Sequence, residues 1–155
     1  MHTSTARSLT AALLLSAAAV LEPSSAAAET SAAASPAVEI VKPKWEPCLP
    51  FVPKGCEVAL VKGDYTKGAS QIVYRMPANF AVPEHWHTSS ERMVVMAGKI
   101  RMSYPGQKAE VLEVGDSTRA AGKVPHAAFC LRGTPCVVMV EYELPFDATP
   151  VAPAK

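Results

Sequence analysis

Three of the four histidines and one glutamate are spaced so that they could hold a metal ion together. His85 and His87 are two residues apart in Pro83-Glu-His-Trp-His-Thr-Ser-Ser-Glu91. On a strand, that spacing turns both imidazoles to one face and sends Trp86 to the other. Glu91 follows Thr88-Ser-Ser, which reads as a tight connection returning a carboxylate toward the same face at the start of the next strand. His126, eleven residues after Gly115, is the fourth candidate. Neutral imidazoles with one carboxylate suit a single divalent transition metal (Fe, Mn, Ni, Cu or Zn) and leave positions for water or substrate. The remaining histidine, His2, lies in a leader-like N-terminal segment, so every other histidine is used in this pattern.

Residues beside this set follow from strand parity. In Gln71–Met76 the more apolar face carries Ile72, Tyr74 and Met76, so Tyr74 points inward. It is a candidate catalytic proton donor or general base, alongside Glu91. The competing reading is a core tyrosine whose hydroxyl bonds to backbone. Ile100, Met102 and Tyr104 suggest an apolar wall, and Met93 with Val95 continues the face of Glu91. Such an interior favours small, partly apolar substrates over sugars or phosphates. Arg75, Arg101 and Arg119 could clamp a carboxylate, although parity turns Arg75 and Arg101 to a solvated outer face.

The elements that must position these groups read as strands. Short apolar or alternating runs recur at 57–61, 71–76, 80–87, 92–96, 99–104, 109–114, 125–131 and 136–144, with Gly, Pro and Asp between them. That spacing predicts a sandwich or barrel. No stretch beyond the leader keeps a 3.6-residue apolar period past two turns, so little helix is expected.

Before this region, Arg7, the apolar run 9–21 and the small residues 24–28 form the pattern of a cleavable secretory signal over 1–28. The run is short for a bilayer span, and no later run reaches the about 18 apolar residues a membrane helix needs. Residues 29–44 read as an Ala/Pro-rich linker, 45–146 as the globular domain and 147–155 as a flexible tail. The whole chain carries 15 basic against 14 acidic residues. With no basic stripe, it lacks the electrostatic footprint of a nucleic-acid binder.

Four cysteines, Cys48, Cys56, Cys130 and Cys136, all follow the leader, an even number that fits disulfides in an oxidising compartment. A turn at Arg132-Gly-Thr-Pro and a Pro-bounded loop at 49–55 favour the local pairs Cys130–Cys136 and Cys48–Cys56. Crossed pairs or free thiols stay open. The absence of a Cys-x-x-Cys pair argues against cysteine-bound metal.

The run His85-x-His87-x-x-x-Glu91-x-x-x-x-x-x-Gly98 resembles the first cupin motif, and Gly115 to His126 resembles the second. The departures are Asn79 where the first motif usually opens with Gly, Ala121 for the usual Pro, Gly122 one place early with Lys123 at the usual Gly, and Cys130 for the usual Asn. Asn79 can still supply a left-handed turn. The resemblance covers roughly 57–144 and implies an all-β, single-domain jelly-roll barrel. Carried over residue by residue, it implies His85, His87, Glu91 and His126 as the ligands of one divalent metal. The chain also resembles small exported bacterial cupins. The function so implied is that of a periplasmic or secreted metal-dependent enzyme, of oxygenase or lyase/isomerase type, acting on a small organic substrate. The alternative is a non-catalytic binding protein. A homodimer is implied, with residues 45–61 as an exchanged or edge-covering arm, and neither nucleic acid nor stable membrane insertion is expected.

Overall fold

The computed structural model describes residues 42–152. Its eleven strands are β1 (Glu46–Pro47), β2 (Glu57–Gly63), β3 (Ser70–Met76), β4 (Phe80–Trp86), β5 (Glu91–Ala97), β6 (Ile100–Ser103), β7 (Glu110–Leu112), β8 (Ser117–Ala120), β9 (His126–Cys130), β10 (Cys136–Tyr142) and β11 (Thr149–Pro150). They form two antiparallel sheets, ordered β1-β2-β3-β10-β5-β8 and β11-β4-β9-β6-β7. Among the described residues there is no helix, and hence none long and apolar enough to cross a membrane.

The alternation that predicts strands also fixes which face is buried. Along β10, residues 136, 138, 140 and 142 are buried while 137, 139 and 141 are only partly covered. Its neighbours keep step: Val140 lies opposite both Ile72 of β3 and Met93 of β5, and Tyr142 lies opposite Glu91. The second sheet answers with Ala128 opposite both Val82 and Met102, and Cys130 opposite both Phe80 and Ile100. Inward residues of the two sheets therefore stack in rows, with a polar row at the Glu91 end and apolar rows beyond it.

Eight strands coincide closely with the predicted runs. The two-residue strands β1 and β11 each contain a proline, which a sheet edge tolerates because no ladder N–H is needed there. β8 is only four residues long and ends in Ala120 as its one buried side chain, too short a run to announce itself; its pairing with β5 defines it. The arm over β1 pairs with β2 of the same chain and covers that edge.

The segment from 147, expected to be a flexible tail, is tied down through Val151. Thr149 and Pro150 pair with Trp86 and His85, and the Val151 amide donates to the Glu84 carbonyl at 2.9 Å. Its Ala/Pro composition gave no sign of these backbone bonds. The signal at 1–28 and most of the linker lie outside the described residues.

Both local disulfides are present, Cys48–Cys56 and Cys130–Cys136, with Cα separations of 5.4 and 5.8 Å. The second joins the end of β9 to the start of β10 and so staples one sheet to the other.

Candidate metal centre

His85, on β4, lies opposite His126, the first residue of β9, and His87 follows the end of β4. One ring nitrogen from each of these three histidines can be chosen so that all lie within 4.8 Å of one another. Glu91 opens β5 and brings its carboxylate to the same place, with Oε1 3.2 Å from His126 Nε2 and Oε2 3.5 Å from His87 Nε2. All four side chains are buried.

Backbone carbonyls determine the state of each ring. His85 Nδ1 donates to the Pro83 carbonyl at 2.7 Å, His126 Nδ1 to the Val124 carbonyl at 3.0 Å, and His87 Nδ1 to the Asp147 carbonyl at 2.5 Å. A carbonyl only accepts, so each Nδ1 carries a proton and each neutral ring offers its Nε2 lone pair. Burial pushes all three imidazoles below their ordinary pKa, His87 to about 4, which keeps them neutral at pH 7. Three Nε2 lone pairs and a carboxylate thus face one another with a surplus of acceptors and a shortage of positive charge. That donor set fits a divalent transition ion, and the Nδ1 anchors are the outer hydrogen bonds that orient metal-binding histidines. Burial also raises Glu91 to about 7.

The turn between β4 and β5 is held from outside. Asp147 accepts from the Thr88 amide at 2.7 Å and from the Thr88 hydroxyl at 2.6 Å. Ser89 Oγ, fully buried, accepts from the amides of Glu143 and Leu144 at 2.9 and 3.0 Å. The connection after β8 closes the other side, where the Lys123 amide donates to the His87 carbonyl at 2.7 Å. A Cβ on Gly122 would lie 2.3 Å from the Thr88 carbonyl oxygen, so close approach requires glycine at 122, while Lys123 takes the left-handed φ of 64°. This explains the one-place shift in the motif. Asn79 is left-handed as expected, at φ 62°.

Comparison with solved structures places this architecture. The DMSP lyase DddQ from Ruegeria pomeroyi superposes with a TM-score of 0.62 at 19% identity, over 73% of this chain and 63% of that one. An RmlC-like cupin from Shewanella frigidimarina gives 0.56 at 18%, over 67% and 85%.

The chain has the cupin fold.

Oxalate decarboxylase from Bacillus subtilis also superposes, at 0.56 and 14% identity, over 64% of this chain and 29% of that one. The chain therefore spans less than two thirds of DddQ and under a third of oxalate decarboxylase. No family model and no curated protein matches its sequence.

Inside the barrel, a cavity of about 980 Å³ is lined by the four donors, by the apolar rows beyond them and by Lys44, Glu46 and the Cys48–Val52 loop. Phe51 of that loop lies 5.6 Å from the His85 ring, and Phe146 lies 5.6 Å from the His87 ring. Tyr74 lines the cavity as parity predicts, but it is not next to Glu91. Tyr142 is the ladder partner of Glu91, and its hydroxyl lies 3.5 Å from the Tyr74 hydroxyl. Burial raises both phenols, so both hydroxyls stay protonated at neutral pH. The alternation of β10 could have pointed to Tyr142, which sits six residues after Cys136 on the same face. Nothing in the sequence pointed to Ser89 or Asp147.

The three arginines lie elsewhere. Arg75 pairs with Glu57 and stacks over Trp45, Arg101 lies over Phe129, and Arg119 pairs with Glu143. None lines the cavity.

Proposed function

We propose that this chain is an exported metal-dependent enzyme acting on a small organic substrate, with His85, His87, Glu91 and His126 as the ligands of one divalent transition ion. One observation carries the proposal: three Nδ1-anchored imidazoles and a carboxylate converge on the wall of one open cavity. A closed structural metal site has no use for such a space, whereas a catalytic one keeps a position for substrate. The bound ion supplies a Lewis acid and, where it is redox-active, an electron source.

The chain's own residues do the rest. The Nδ1 bonds hold the rings in place, Phe51 and Phe146 keep apolar surface against them, and the Tyr74–Tyr142 pair holds a proton at a hydroxyl 3.5 Å from its partner. Bond cleavage of lyase or decarboxylase type finds support in two neighbours of the fold, a DMSP lyase and an oxalate decarboxylase; oxygenase chemistry uses the same open position. Two disulfides support export, because they persist in an oxidising compartment.

The test is metal content of protein taken from its own periplasm without added metal, in wild type, His87→Ala and Glu91→Ala. About one equivalent of ion in wild type, lost in both variants, followed by turnover with oxygen uptake and product release as readouts, is the expected result. Equal metal in the variants sinks the ligand assignment, and stoichiometric metal without turnover leaves a binding protein.

A further inference from the structure

We infer that the cavity selects a molecule with a single anionic oxygen head and an uncharged apolar body, and rejects sugars, phosphates and dicarboxylates. This rests on the metal reading above, since the head is the group that the ion would bind.

The ladder registers order the cavity wall. The row at Glu91 and Tyr142 is polar. The next row has Met93, Val140 and Ile72 on one sheet, faced by Met102 and Ala128 on the other, and Val138 lies one row deeper. From Tyr142 to Val138 is four residues of β10, about 13 Å at ~3.3 Å per residue. In those rows the lining side chains are uncharged, and their one hydroxyl group is on Tyr74, already beside Tyr142; the cavity's other hydroxyls, on Tyr65 and Thr66, belong to the turn between β2 and β3, where Thr66 donates to Asp64 at 2.6 Å. The cavity's one lysine or arginine is Lys44, which is exposed and 3.4 Å from Glu46.

Two consequences follow from elementary solvation. A second carboxylate or a phosphate placed in the apolar rows would lose its hydration without gaining a cation or a donor, which is prohibitive. A polyhydroxylated ring placed in those rows would strip water from several hydroxyls and find there the phenols of Tyr74 and Tyr142, already within 3.5 Å of each other. An apolar body loses nothing of this kind and gains with every methylene that leaves water.

Titration calorimetry on the full chain, zinc-loaded and metal-free, tests this with butanoate, hexanoate, octanoate and decanoate, the matching n-alcohols, octanedioate and gluconate. Affinity is expected to rise about fourfold per added methylene until the cavity is filled. Zinc should strengthen the alkanoates but not the alcohols, and octanedioate and gluconate should give no binding heat in either form. A flat series in both forms overturns the apolar body, whatever zinc itself does. A rising alcohol series with no zinc effect on the alkanoates overturns the head assignment and the metal reading with it. Octanedioate binding as tightly as octanoate overturns the exclusion of a second charge. Every arm uses wild-type protein, so a folding defect cannot imitate any of these results.

Discussion

Glu91 differs from the imidazoles in what a metal must displace from it. The rings are held neutral at pH 7 and already present their lone pairs, whereas burial leaves Glu91 half-protonated near pH 7. An arriving ion therefore expels one proton, from Glu91, as pH falls through about 7. Metal affinity should level off above that value and weaken by up to roughly tenfold per pH unit below it. Glu91→Gln should bind more weakly and lose this limb, keeping only the more acid loss as the imidazoles protonate. The Tyr142 phenol, on the ladder partner of Glu91, lowers the Glu91 pKa, so Tyr142→Phe should move the midpoint upward. Metal titrations across pH with a chromophoric competitor check all three, and an unchanged profile in Glu91→Gln would remove Glu91 from the site. Asp147 acts at one remove: its carboxylate holds Thr88 while its carbonyl holds His87 Nδ1. Asp147→Ala should weaken metal binding by about 10- to 100-fold, the range for losing an outer hydrogen bond, with the fold retained. The same competition assay, with far-ultraviolet circular dichroism as the control, measures it.

At the scale of elements, the site depends on how closely the loop after β8 approaches the turn after β4. Gly122 allows that approach, and a methyl group there would meet the Thr88 carbonyl oxygen at 2.3 Å. Gly122→Ala should force the two connections apart, cost about 1–3 kcal/mol as overpacking does, and weaken metal binding because the Lys123–His87 bond is lost. Urea unfolding of the metal-free protein and a metal titration measure the two effects separately. If stability falls while metal affinity is untouched, the loop does not position His87. These elements also mark what the sequence could reveal. The strong alternation of β3, β5 and β10, and the His-x-His pair on β4, are written in nearest-neighbour spacing, so both strands and donors were legible. The turn connecting β4 to Glu91 was legible too. Asp147 was not, because 59 residues separate it from its partner Thr88 and nothing in an Ala/Pro-rich stretch announces a bond that only the folded topology creates. Gly122 read as a misplaced motif residue because close backbone approach leaves no periodic signal, and β8 was silent because a run of four residues with one buried side chain is too short to announce itself.

The whole molecule is fastened at two opposite ends. At one end the four donors join β4 and β9 of one sheet to β5 of the other; at the other end Cys130–Cys136 joins β9 to β10. Tyr142, in the donor row, and Cys136 stand six residues apart on β10, about 20 Å at ~3.3 Å per residue. Fasteners so far apart, sharing no side-chain partner, should contribute independently, because coupling between sites fades beyond about 7–10 Å. Removing the bridge as the double variant Cys130→Ala with Cys136→Ala should cost about 2–4 kcal/mol, chiefly through the freer unfolded chain. Zinc at 100 times its dissociation constant should add about 2.7 kcal/mol through binding to the folded state alone. Urea unfolding of the four combinations, bridge present or absent and zinc present or absent, measures both increments and their coupling. Independence means the zinc increment changes by less than about 0.5 kcal/mol when the bridge is gone. A larger loss would mean that the bridge holds β9, and with it His126, in position along the whole strand. The barrel would then be one mechanical unit in which the oxidation state at one end sets metal affinity at the other.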